Sequence, residues 1–301
     1  MLKEVLKHIP KRYTIGLVVL LLGLIALEVA MTCAIPMWRD YFYDILQLKL
    51  ADQFHTSLTY FLLLMTGLGL AQGLKAWVGQ LVSFEVRKSA TDLLFSKWSK
   101  APKASTNYTQ AMTESLRNST ELYLEIIVEI IISLSIVVVL VLASLHQPLI
   151  IIASLIYTAV ASLAAMLFNK PLVRSDKDWQ SEEGAFRESL VELTNKNSKV
   201  SPLDSLVKVV RSYYIYIRIV MYFTLFTRMK STLASLIPYM LLAGSFFTGT
   251  ITLGDFMAGV AAFELLVINA TILLILYPKL TKARASYQIS QEFYNGLRSR
   301  K

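Results

Sequence analysis

The sequence predicts an all-α integral membrane protein: six transmembrane helices, extended by long helical segments expected on the cytoplasmic side. Three observations predict it. Six apolar windows are long enough to cross a bilayer, the composition is poor in charge, and Lys and Arg fall almost entirely between alternate windows.

The windows come first. Crossing a hydrocarbon core of about 30 Å takes about 20 helical residues. Windows at approximately 13–35, 58–84, 122–145, 149–168, 232–247 (with a polar extension) and 256–276 meet or approach that length. Backbone groups in lipid must be paired within their own segment, and the alternation that a membrane barrel needs is absent, so each window is expected to be a helix. Ahead of the first stand Lys3, Lys7, Lys11 and Arg12, a pattern similar to a secretory leader. With Glu28 inside the run and no small-residue cleavage site at its end, it reads as a retained span.

Composition agrees. Hydrophobic residues make up 55% of the 301 and charged residues 17%, against roughly 45–50% and about 25% in soluble domains. A net charge of +9 could by itself suggest nucleic acid or anionic lipid as partner. The placement of the charge argues for a bilayer and against nucleic acid. The N-terminus, the 85–121 loop, the 169–230 loop and the C-terminus hold 27 of the 30 Lys and Arg. Arg39 and Lys49 lie on the other side, and Lys75 is expected to snorkel from the inner end of span two. Basic residues hold segments on the cytoplasmic side, so both termini and both long loops are expected there.

The stretch 209–227, rich in Tyr and Ile, could be a seventh span. That would put Arg218 near the bilayer centre and turn the basic C-terminus outward, and both are costly. It is therefore expected to be a helix continuous with span five. Breaks at 99–108 and 195–202, marked by Pro102, Pro202 and polar clusters, would make each long loop a helical hairpin. Without Gly/Ser linkers or internal repeats, residues 1–301 are expected to form one domain.

Acidic residues inside spans carry the functional signal. Glu114, Glu121, Glu125 and Glu129 are spaced by seven, four and four, which places them within about 80° on one helical face. Such a stripe climbs from the cytoplasm into the bilayer, as a proton relay or a path for cationic cargo requires. Burial and like charges one turn apart both favour the protonated form. The alternative for Glu114 and Glu121 is a solvated pair that caps the helix or meets Arg117. Glu28 and Glu264 are also intramembrane; without a basic residue between Lys230 and Lys279, Glu264 is expected to face a cavity or to sit neutral between helices. His8, His55 and His146 are scattered with no ligand spacing, and Cys33 stands alone, so no metal site, disulfide or cofactor is expected.

A run after span one, Trp38-Arg39-Asp40-Tyr41-Phe42-Tyr43-Asp44-Ile45-Leu46-Gln47, is similar to the W-x-x-x-F-Y-D-x-L-Q signature of the SbmA/BacA group of peptide-uptake permeases. Asn169-Lys170-Pro171-Leu172-Val173, Phe186-Arg187-Glu188-Ser189-Leu190, Ile251-Thr252-Leu253-Gly254, Tyr277-Pro278 and Arg284-Ala285 resemble further elements of that group, in the same order.

The resemblance implies a transmembrane domain like that of an ABC exporter, working as a homodimer around a central cavity in a bacterial inner membrane. It also implies that Trp38, Asp40, Tyr41, Phe42, Tyr43 and Asp44 close or line an external mouth, although an interfacial aromatic belt explains the rings as well. Phe186, Arg187 and Glu188 would be a cytoplasmic family element. The chain carries no G-x-x-x-x-G-K-[ST] phosphate cradle, so no nucleotide-binding domain and no enzymatic activity are expected of it.

Family members without an ATPase resemble secondary transporters driven by protons through glutamates. Three readings follow: a proton-coupled importer of peptides or other bulky cationic solutes, a permease subunit served by a separate ATPase chain, or a scaffold that transports nothing.

Overall fold

In the computed structural model, the described residues are 11–98, 115–144, 147–194 and 202–298. They form seven helices: α1 (Lys11–Gln47), α2 (Ala51–Trp98), α3 (Leu116–Ala143), α4 (Pro148–Thr194), α5 (Pro202–Phe247), α6 (Leu253–Ala270) and α7 (Ile272–Arg298). There is no strand among the described residues. Each of α1 to α6 contains a segment long and apolar enough to cross a membrane, which bears out the expected six. The stretch 209–227 is part of α5, continuous with the fifth span. The hairpin turns expected at 99–108 and 195–202 fall outside the described residues, apart from Pro202, the first residue of α5.

Local chemistry sets several of the ends. The Leu50 and Lys49 N–H groups donate to the carbonyls of Ile45 and Leu46 at 3.0 and 3.2 Å, while Lys49 adopts a φ of 56°. This is the left-handed helix stop usually given to glycine. Gly249 ends α5 the same way at φ 71°, with Thr250 and Gly249 donating to Ser245 and Phe246. Pro148 opens α4 at the first helical position, where its missing donor costs nothing.

Two expectations need adjustment. The run from Trp38 to Gln47 is the last part of α1, which continues through Pro36. The sixth apolar window is interrupted at Thr271, whose hydroxyl donates back to the Val267 and Ile268 carbonyls at 2.9 and 3.1 Å and separates α6 from α7. Such back-bonding competes with the helix ladder and bends it.

Two compact units result. The larger comprises residues 1–152 and 241–301, and the smaller residues 153–240. In the larger, α1 packs chiefly on α2 and α6, and α3 on α7. Its core joins Leu21, Leu24, Ile25, Val29 and Cys33 of α1 to Val78 and Val82 of α2, Val128, Ile132, Ile136 and Leu140 of α3, and Leu266 of α6. In the smaller unit, α4 and α5 meet through aromatic rings. Phe168 stacks on Phe226 at 4.9 Å, Trp179 stacks on Tyr216 at 5.4 Å, and Tyr157 donates to the Lys230 carbonyl.

Candidate functional site

Spacing by four keeps Glu121, Glu125 and Glu129 on one side of α3, beside the apolar stripe of Ile126, Ile132, Ile136 and Leu140 that holds the helix in the core. All three glutamates line a cavity of about 770 Å³ between α1, α2 and α3. The facing wall is α2, which contributes Lys75, Gln80, Ser83 and Arg87 with the rings of Trp77 and Phe84. The lining thus carries both signs of charge. Glu114 lies outside the described residues.

Glu28 of α1 joins this group through Lys75. Lys75 Nζ lies 2.8 Å from Glu28 Oε2 and 3.7 Å from Glu129 Oε1, so one ammonium stands between carboxylates on two other helices. Gln72, one turn earlier on α2, donates to Glu28 Oε1 at 3.2 Å. Both oxygens of this buried carboxylate thus meet α2, Oε1 at Gln72 and Oε2 at the Lys75 ammonium.

Side-chain exposure rises from 7% at Glu28 through 35% at Glu129 to 45% at Glu125. The carboxylates thus form a staircase from dry core to open cavity. Glu125 is paired with Lys279 of α7 at 2.5 Å.

Glu264 stands apart. It does not line the cavity and lies 3.9 Å from Arg39 of α1, so a partner distant in sequence supplies the cation that its own neighbourhood lacks. Lys75, expected to snorkel, is instead drawn inward and only 13% exposed, because two carboxylates offer its ammonium more than an interface would. The sequence signal was present, since Gln72 and Lys75 share a face of α2 and a cation near an intramembrane Glu needs a partner. Arg39 and Lys279 pair across helices, which spacing alone does not reveal.

The aromatic run of α1 clasps α2. Trp38 Nε1 donates to the Ser57 carbonyl at 2.9 Å, and its ring stacks on Phe42 and Phe61 at 4.8 and 4.2 Å. Phe42 also meets Tyr43 and Phe54, and the Tyr41 hydroxyl donates to Gln53 at 3.3 Å.

One turn on, Asp44 and Gln47 accept from the Gly254 and Leu253 N–H groups of α6 at 2.9 and 2.7 Å. Thr252 and Asp255 complete a capping box there. The first three N–H groups of α6 are therefore all satisfied. A β-carbon on Gly254 would fall 2.3 Å from the Asp40 carbonyl oxygen. Phe186, Arg187 and Glu188 lie within α4; Phe186 is half-buried, and the other two side chains are outside the described set.

Six candidate spans, three of which (α1, α2 and α3) bring an acid–base cluster together beside a cavity, define a polytopic membrane protein. The model of the SbmA/BacA-like family matches residues 10–297, nearly the whole chain, and the protein belongs to that family. Membership makes it a membrane transporter. No curated protein matches the chain.

Proposed function

We propose that the protein is a proton-coupled importer of peptides or other bulky cationic solutes, acting as a homodimer in a bacterial inner membrane with both termini in the cytoplasm. The observation that carries this reading is the staircase from buried Glu28 on α1 to Glu129 and Glu125 on the cavity wall of α3. An unneutralised charge at the centre of a spanning helix costs on the order of 3 kcal/mol. Carboxylates that outnumber their nearby cation attract a proton or the ammonium of a cargo, and a cavity holding both signs suits a ligand that does too.

The peptide cargo rests on the motif resemblance. Assembly as a dimer is supported by α5, whose apolar window has no residue buried within the chain. In this reading the Trp38 clasp and the Asp44 cap form a rigid rim at the external ends of the spans.

The test is uptake of a labelled cationic peptide into proteoliposomes, with and without an inward proton gradient. Gradient-dependent uptake that an uncoupler abolishes supports the reading. Uptake that ignores the gradient and requires an added ATPase chain would replace it with the permease-subunit alternative.

A further inference from the structure

We propose that the α2 wall of the cavity anchors the carboxylate end of a peptide cargo, with Arg87 and Ser83 as the donors. This rests on the peptide-import reading above and goes further, in naming the end of the cargo that is recognised and the groups that recognise it.

The charges of the lining do not all cancel. Lys75 lies against Glu28 and Glu129, and Glu125 lies against Lys279. Two lining charges remain, Arg87 on α2 and Glu121 on α3, and neither has an ion-pair partner among the described residues. They share one cavity without pairing with each other. A guanidinium presents a planar fork of N–H donors that fits a carboxylate through two parallel bonds.

Ser83 marks the same place independently. Gln80, Ser83 and Arg87 fall within about 60° on one face of α2, and all three line the cavity. Ser83 is 4% exposed, and its hydroxyl has no hydrogen-bond partner among the described residues. Thr91 and Ser96 on the same helix return their hydroxyls to the Arg87 and Leu93 carbonyls, at 2.9 Å each. Ser83 does not, and a buried hydroxyl left so is costly until a ligand meets it. Hydroxyl, amide and guanidinium all donate, and an ionised carboxylate only accepts.

The rest of the lining suits the rest of a peptide. Trp77 and Phe84 are exposed rings on the cavity wall, open to an apolar side chain or to a cation over the ring face. Glu121 on the α3 wall is open to an ammonium. The volume, about 770 Å³, is that of a site for a small ligand. A cargo with a carboxylate and an ammonium set apart thus bridges α2 and α3, whereas a cargo with positive charge alone meets repulsion at Arg87.

Calorimetric titration of the full chain in lipid nanodiscs with trilysine and with its C-terminal amide tests this. The amide carries one more positive charge, so a cavity that selects for charge alone prefers it. The anchor reverses that order, with the free acid tighter by about tenfold. Arg87→Gln should remove the preference and Ser83→Ala should reduce it. Arg87→Lys, which keeps the charge and loses the fork, should restore only part. Equal or tighter binding of the amide by wild type, or a preference that survives Arg87→Gln, overturns the proposal. Should Arg87→Gln fail to fold, the wild-type preference and its reduction in Ser83→Ala decide it. Equal binding of the two peptides removes the anchor and leaves peptide import standing, whereas binding of neither removes both.

Discussion

The backbone N–H of Gly254 donates to the Asp44 carboxylate at 2.9 Å, and this bond fastens the start of α6 to the last turn of α1. Two stretches picked out in the sequence as family elements, the run ending at Gln47 and Ile251 to Gly254, are thereby two halves of one contact. A carboxylate there also meets the positive end of the α6 dipole. Gly254→Ala would force a methyl against the Asp40 carbonyl and should destabilise the protein by about 1–3 kcal/mol. Asp44→Ala should cost about 1.5–3 kcal/mol through loss of a charged hydrogen bond. Thermal unfolding in detergent checks both.

Trp38 distinguishes a packing role from a gating one. Its indole donates to Ser57 and stacks between Phe42 and Phe61. Trp38→Ala should destabilise the larger unit by about 3–5 kcal/mol. A gate without a structural role would alter uptake kinetics and leave the melting temperature unchanged.

Arg39 and Glu264 are each roughly a third exposed and 3.9 Å apart. A double-mutant cycle with Arg39→Gln and Glu264→Gln should give a coupling below about 1 kcal/mol, as water screens such a pair. Gradient-driven uptake should fall in Glu264→Gln if this carboxylate serves the pathway, and should persist if the pair only joins α1 to α6.

Lys279 holds Glu125 at the open end of the staircase, where both are more than 40% exposed. Lys279→Met should change stability by less than about 1 kcal/mol. It should nonetheless change the rate of gradient-driven uptake, because it removes the cation that holds Glu125 in place. An unchanged rate would remove Glu125 from the route.

Crossing number and helical class were legible in the sequence because lipid leaves the backbone few alternatives. The α3 glutamates were legible because a fixed helical period places residues four apart on one face. Glu28 was visible as an intramembrane acid, yet its partner was not. Lys75 pairs with it across helices 47 residues apart in sequence, and the same is true of Arg39 with Glu264 and Lys279 with Glu125. Period and spacing describe one helix at a time, whereas these pairs depend on how helices pack. The cap on α6 was hidden for the same reason: Asp44 and Gln47 read as part of an aromatic motif until Leu253 and Gly254 stand beside them.

Proton movement measured with cargo movement tests the central claim most directly. Proteoliposomes that enclose a pH-sensitive dye are given an inward gradient of a cationic peptide and no pH gradient. The account predicts acidification of the interior as peptide enters, and its loss in Glu129→Gln. Peptide entry by wild type with no change in interior pH would contradict it.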